Sequence, residues 1–167
     1  METRLKKVII TVVGSAETGK SSAINQLANT FPFIDKKIIF PDIKEENNDV
    51  VCFGKYQNNE GKELTLGICS FGDHKSYLKD YFLPLIEKYS CNVIVGACHN
   101  YRETDGNTFN YILNLARKHD YRLITTSILR DDANDTMNDE QKNNNKIIHF
   151  LNEIFAENMS NFIKSIV

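Results

Sequence analysis

The strongest constraint on the fold is an apolar, β-branched run that leads into a glycine-bounded loop and then into a helix start. The run is Val8-Ile9-Ile10-Thr11-Val12-Val13, which predicts a buried strand over residues 5–13. The loop reads G-S-A-E-T-G-K-S at 14–21, and residues 20–29 carry a helix-compatible pattern. Strand, glycine-rich turn and helix together predict the opening unit of an α/β fold.

The spacing of this loop has a chemical reason. Gly14 and Gly19 allow backbone angles and a close approach that a Cβ would obstruct. Successive N–H groups then turn inward at the positive end of a helix and form a concave anion site. Lys20 is expected to reach phosphate oxygens as a point charge, and the Ser21 hydroxyl is expected to bind Mg²⁺.

With this motif in this context, the chain resembles the P-loop NTPase superfamily. The resemblance implies a nucleoside triphosphate bound along the loop, with Mg²⁺ as its companion ion. A chance match in an ordinary turn is the alternative. The residues expected to contact the nucleotide are Gly14, Ser15, Ala16, Glu17, Thr18, Gly19, Lys20, Ser21 and Ser22.

The rest of the chain alternates strand and helix patterns, which predicts one domain over residues 1–167. We expect a three-layer α/β fold with a mostly parallel sheet and one antiparallel hairpin strand. Strands are predicted over 50–57, 62–70, 92–98 and 121–128, with 36–40 a short strand or the start of a loop. Helices are predicted over 76–89, kinked or divided at Pro84, and over 105–119 and 146–167. Residues 131–145 are polar and predict a loop or lid.

The metal side of the site is expected on a strand that neighbours the first one. The hairpin over 50–70 is similar to the one that small GTPases place here, whereas many nucleotide kinases have a helical insertion. The segment after it resembles D-x-x-G, with Gly72 on the glycine that senses the γ-phosphate and Cys69 at the expected Asp position. Asp73 is the nearest carboxylate, expected to support Mg²⁺ or the attacking water. Its alternative role is to cap a helix near Lys75.

The base preference follows from a missing motif. No N-K-x-D sequence follows the strand at 121–128, although Asp131 or Asp132 could read a base edge. ATP is therefore the expected nucleotide, and GTP stays open.

Two further segments carry candidate chemistry. The stretch 99–108 follows a buried strand, where ligands of open α/β sheets bind. There Arg102 is a candidate for stabilising transferred phosphate charge, and His99 for orienting a substrate, the alternative being a solvated loop with a helix cap at Asp105 or Thr108. Arg130 opens the lid-like segment and is otherwise a surface arginine.

Composition excludes several classes of protein. A net charge of −2 gives no footprint for nucleic acid or an anionic membrane. Four cysteines without C-x-x-C spacing predict small buried side chains rather than a zinc site or disulfides, and therefore a reducing, cytoplasmic compartment. The C-terminal helix is expected to cover the sheet, with a homodimer or protein partner as the alternative.

Three functions remain open at this point. The first is a protein that hydrolyses a nucleoside triphosphate or is switched by it. The second is a small-molecule or nucleoside kinase, suggested by the lid-like segment and the 99–108 loop. The third is a nucleotide-binding module with little catalysis, suggested by Cys69.

Overall fold

The computed structural model describes residues 7–14, 19–41, 49–99, 107–127 and 140–167. Strands and helices alternate through these ranges, except for three successive strands between residues 37 and 69. The strands are β1 (Val8–Gly14), β2 (Lys37–Phe40), β3 (Val51–Gln57), β4 (Glu63–Cys69), β5 (Val93–His99) and β6 (Arg122–Ser127). The helices are α1 (Lys20–Thr30), α2 (Lys75–Tyr77), α3 (Leu83–Glu87), α4 (Asn107–Lys118) and α5 (Glu140–Lys164), with a π-helical turn at Leu78–Phe82 between α2 and α3.

The six strands form one sheet in the order β2-β3-β4-β5-β1-β6. Neighbours pair in parallel from β4 to β6, and β3 is antiparallel to both β2 and β4. This confirms a mostly parallel sheet with one antiparallel hairpin strand. The expectation that the strand ending at Cys69 neighbours β1 is wrong, because β5 lies between them and pairs with both. All seven residues of β5 are buried, which suits an interior position.

Helices cover both faces of this sheet, which gives the predicted three layers. Alternate residues of a strand point to opposite faces, so β1 contributes Val8, Ile10 and Val12 to one core and Ile9 to the other. The first core contains buried residues of α1 and α5, and the second contains buried residues of α3, α4 and the π-helical turn. The expected role of the C-terminal helix in covering one face is confirmed by Ala156, Met159 and Ile163.

The turn between β3 and β4 forms as its sequence predicts. Gly61 has φ of +81°, a left-handed conformation that suits glycine. The Asn58 side-chain oxygen accepts hydrogen bonds from the backbone N–H groups of Glu60 and Lys62 at 3.0 and 2.9 Å. The hairpin register is therefore fixed by local turn chemistry.

The predicted division of the helix near Pro84 is confirmed, and the predicted start of the C-terminal helix needs correction. The division expected at Pro84 takes the form of the π-helical turn: the Leu83 N–H donates to the Leu78 carbonyl five residues earlier, just before the proline that lacks an N–H. The loop expected over 131–145 is wrong for 140–145, because α5 begins at Glu140. Extending a formed helix adds one hydrogen bond per residue, so a polar, Asn-rich turn can join it. Residues 131–139 lie outside the described ranges.

The cysteine prediction is confirmed: Cys52, Cys69, Cys91 and Cys98 are all buried free thiols. Burial raises the pKa of Cys52 to about 11 and that of Cys98 to about 12, so these thiols are neutral near pH 7. Within the described ranges, no helix has the length and apolar character to span a lipid bilayer.

Candidate functional site

The candidate site begins where β1 ends and α1 starts. Gly14 is the last residue of β1, and Gly19 caps α1 with φ of 79°, which a β-carbon would strain. No side-chain hydrogen bond caps the α1 N-terminus among the described residues. Its first-turn N–H groups therefore face the side on which residues 15–18 connect the strand to the helix. Ser15, Ala16, Glu17 and Thr18 themselves lie outside the described ranges.

Lys20 lies at this junction and folds back towards the strand. Its Nζ donates a 2.9 Å hydrogen bond to the Gly14 carbonyl, although the two residues are six positions apart. The residue is only 5% exposed. Its positive charge also lowers the pKa of Cys98, which lies on β5 beside β1, although burial of that thiol has the larger, opposite effect. A lysine ammonium is thus held at the carboxyl end of β1 and β5.

The first turn of α1 also contacts the chain that leaves β4. The Ser21 hydroxyl donates to the Ser70 carbonyl at 3.4 Å, a long hydrogen bond. Ser70 is 1% exposed, and its own hydroxyl donates to the Asp49 Oδ1 at 2.7 Å. Ser22, the last residue predicted to contact a nucleotide, is exposed on the same turn.

Asp73 forms a hydrogen bond with His99 rather than capping a helix. The His99 Nε2 and the Asp73 Oδ1 are 2.5 Å apart, with the imidazole 8% and the carboxylate side chain 65% exposed. The residue that caps α2 is His74, and that cap has no side-chain hydrogen bond, so the helix-cap alternative is wrong. The contact places an exposed carboxylate beside the residue that is paired with Gly14 in the sheet, since His99 aligns with Gly14.

Gly72 has a packing reason to be glycine. A Cβ at this position would lie 2.5 Å from the Ala97 carbonyl carbon and 2.6 Å from its oxygen. The chain leaving β4 therefore passes directly over β5, which lies between β4 and β1. This crossing brings Asp73 to His99, and the role of Gly72 in sensing a γ-phosphate stays a prediction.

Cys69 is a neutral thiol at the position where the resemblance expects an aspartate. It is fully buried, and its Sγ donates weakly to the Phe71 carbonyl at 3.7 Å. Burial raises its pKa well above the ordinary range. Because a metal ligand must be the thiolate, this side chain does not replace the missing carboxylate.

Several predicted site residues fall outside the described ranges. They are Ser15, Ala16, Glu17, Thr18, Arg102, Asp105, Arg130, Asp131 and Asp132. Of the two cap candidates in the 99–108 segment, Thr108 is described: its hydroxyl accepts a hydrogen bond from the His99 N–H at 3.0 Å. That contact ties the start of α4 to the end of β5.

The sequence prediction missed Asp49 and Ser70. A signal was present, because an antiparallel strand begins at the end where its partner finishes. The first residues of the 50–57 strand were therefore bound to meet the last residues of 62–70.

The groups that meet at this edge suit a phosphate ligand with a hard cation. An ammonium and an uncapped helix N-terminus favour anions. Mg²⁺ prefers oxygen ligands, takes few of them from the protein and keeps water and phosphate oxygens as the others. Ser21 has one such oxygen, and Ser70 links it by hydrogen bonds to the Asp49 carboxylate. The described residues contain no cluster of three or more His, Cys, Asp or Glu that could hold a metal ion by themselves.

Two comparisons with known proteins, by family model and by curated sequence, found nothing similar. No protein-family model matches the chain, and no curated protein is significantly similar to it in sequence.

Proposed function

We propose that this chain binds a nucleoside triphosphate, with ATP expected over GTP, at the carboxyl edge of the sheet between β1, β5 and the segment 70–73. The observation that carries the proposal is Lys20. Its ammonium is buried, and its Nζ donates to the Gly14 carbonyl at the end of β1. A cation held beside a helix N-terminus that carries no side-chain cap suits the charge of phosphate oxygens.

Bound phosphate would replace the Gly14 carbonyl as the partner of Lys20. The ammonium then contacts the β- and γ-phosphates, and the loop and first-turn N–H groups of α1 contact the phosphate oxygens. Mg²⁺ would be held by the Ser21 hydroxyl together with phosphate oxygens. The long 3.4 Å bond from Ser21 to the Ser70 carbonyl is weak enough to be exchanged for such a ligand.

We further propose hydrolysis, or switching by the bound nucleotide, as the use of this site. In hydrolysis, water adds to the γ-phosphorus and the bond to the β-phosphate oxygen breaks, leaving a diphosphate and inorganic phosphate. The exposed Asp73 carboxylate, held by the buried His99, supports this assignment because it is a fixed acceptor for the attacking water.

The direct experiment is to titrate a fluorescent, non-hydrolysable ATP analogue against wild type and Lys20→Ala. A hydrogen bond to a charged group contributes about 1.5–3 kcal/mol, so we expect the variant to bind about 10- to 150-fold more weakly. Lys55→Ala is the matched control, since that exposed lysine pairs with Glu63 far along the hairpin. Equal affinity for wild type and Lys20→Ala, or no binding by folded wild type, contradicts the proposal.

Competition with unlabelled ATP and GTP then tests the base preference. The expected result is tighter binding of ATP, because no N-K-x-D sequence is present to read guanine. A clear preference for GTP would contradict that part of the proposal alone.

A further inference from the structure

We propose that Asp49 supplies, on the metal side of this nucleotide site, the negative charge that position 69 lacks. The inference rests on the proposed function and concerns a residue that the P-loop motif does not contain. Asp49 would act through water or directly on the Mg²⁺ that accompanies the nucleotide.

The first support is position. β3 runs antiparallel to β4, and Val51 aligns with Cys69 at the end of the ladder. Asp49 precedes Val51 by two residues, so it lies beyond Cys69 at the carboxyl edge of the parallel strands. A carboxylate from the antiparallel strand thus reaches the edge where a carboxylate from β4 is missing.

The second support is a chain of hydrogen bonds that leads to the P-loop serine. The Ser70 hydroxyl holds Asp49 in place, because Ser70 Oγ donates to Asp49 Oδ1 at 2.7 Å. The same Oγ accepts a hydrogen bond from the Val50 N–H at 2.7 Å. The Ser70 carbonyl in turn accepts from the Ser21 hydroxyl at 3.4 Å. One buried residue, Ser70, therefore separates the Asp49 carboxylate from the hydroxyl expected to bind Mg²⁺.

The third support is charge. The Asp49 carboxylate raises the pKa of the Cys69 thiol, in addition to the larger effect of burial, so its field reaches the position of the absent aspartate. An ionised carboxylate offers about four lone-pair directions, and the Ser70 hydroxyl takes one. Carboxylates are the ligands that Mg²⁺ prefers in proteins, often through an intervening water.

The test separates the metal from the nucleotide. The affinity of the fluorescent ATP analogue is measured in EDTA and in excess Mg²⁺ for wild type, Asp49→Asn and Asp35→Asn. Asparagine keeps an oxygen that accepts the Ser70 bond while removing the charge. Asp35 is an exposed carboxylate beside Lys55, which makes it a matched control. Thermal unfolding of each variant checks the fold, and Asp49→Ser is a second neutral variant.

We expect Mg²⁺ to raise the affinity of wild type about 10-fold or more, as a divalent ion bridging protein and phosphate does. Asp49→Asn should lose most of that increase and keep its affinity in EDTA, whereas Asp35→Asn should behave as wild type. Mn²⁺ binding to the nucleotide-loaded protein, followed by electron paramagnetic resonance, should weaken in Asp49→Asn by a similar factor.

The outcomes also distinguish this inference from the function beneath it. If both Asp49 variants retain the full Mg²⁺ increase, or lose affinity equally with and without Mg²⁺, the role of Asp49 is overturned and nucleotide binding stands. The same holds if wild type binds the nucleotide without any effect of Mg²⁺. If folded wild type binds no nucleotide in either condition, the proposed function itself is overturned.

Discussion

The two ends of the parallel strands use polar residues in different ways. At the amino end, Asn92 exchanges hydrogen bonds with the Thr65 backbone at 2.8 and 3.0 Å, and the Tyr121 hydroxyl donates to the Cys91 carbonyl at 2.5 Å. These groups are neutral and pair with the main chain. At the carboxyl end, Lys20 and Asp73 bring charge, and Lys20 is almost fully buried.

The difference separates residues that hold the sheet together from those that we propose bind a ligand. A neutral side chain that satisfies a backbone group stabilises the fold, and its removal leaves that group unpaired. A buried ammonium adds little net stability, because the cost of its desolvation offsets much of what its partners contribute. Substitutions at the amino end should therefore change folding, and those at the carboxyl end should change binding.

The largest expected effect tests this separation at the amino end. Asn92→Ala removes the acceptor of the Thr65 N–H, and we expect the free energy of unfolding to fall by about 1–3 kcal/mol with nucleotide affinity unchanged. Lys20→Ala should show the reverse, with a change in unfolding free energy within about 1 kcal/mol. Urea unfolding and analogue titration measure both quantities on the same samples. A large loss of stability in Lys20→Ala would break the comparison.

A smaller effect is expected at the carboxyl end in Asp73→Asn. This change keeps the size of the side chain and removes its charge, so the turnover number should fall about 10-fold, equivalent to about 1.4 kcal/mol, with little change in nucleotide affinity. Single-turnover release of phosphate gives the rate. His99→Gln is the companion variant, expected to slow the same step by releasing the carboxylate. An unchanged rate with unchanged Mg²⁺ dependence would leave Asp73 without a role in turnover.

The smallest expected effect concerns the buried cysteine thiols, which occur at both ends of the parallel strands. Burial raises the pKa of Cys91, at the amino end, and of Cys98, at the carboxyl end, to about 12 from 9.0. Because the folded state holds the thiol proton more tightly than the unfolded state, this contribution to stability is complete below pH 9. It is lost as the pH rises from 9 towards 12. The free energy of unfolding should therefore fall by about 0.8 kcal/mol per thiol between pH 8 and pH 9.5.

Unfolding in urea across that range tests the thiol prediction. Cys91→Ala and Cys98→Ala should each show a shallower fall than wild type, by the same amount. A smaller change in Cys98→Ala would mean that the nearby Lys20 ammonium stabilises the Cys98 thiolate in the folded state.

The sequence predicted most of the fold because its signals are local. The β-branched run and the turn with Asn58 and Gly61 each act within a few residues, and both formed where expected. The order of strands in the sheet is different, since it depends on which apolar strand fits between two others. Nothing within β4 or β5 indicates that β5 lies between β4 and β1.

The residues of the candidate site also divide into those predicted from local signals and those that depend on tertiary packing. Lys20 and Ser21 follow from a contiguous motif. The pairing of Asp73 with His99, 26 residues apart, and the link from Asp49 to Ser70, 21 residues apart, follow from the antiparallel hairpin and from the crossing over β5. Such contacts between distant segments depend on tertiary packing. They cannot be predicted from one sequence when the order of strands in the sheet is not known.

The crossing of Gly72 over Ala97 has a consequence for how this protein can vary. The two residues carry no functional group, yet the closeness of their backbones sets the height at which the chain passes over β5. Any side chain at position 72, or a larger one at 97, would lift Asp73 away from His99. The side-chain sizes at positions 72 and 97 therefore depend on each other. Natural variants should keep both residues small, or change both together with the segment that follows β4. Two residues without functional groups thus limit which substitutions the site tolerates.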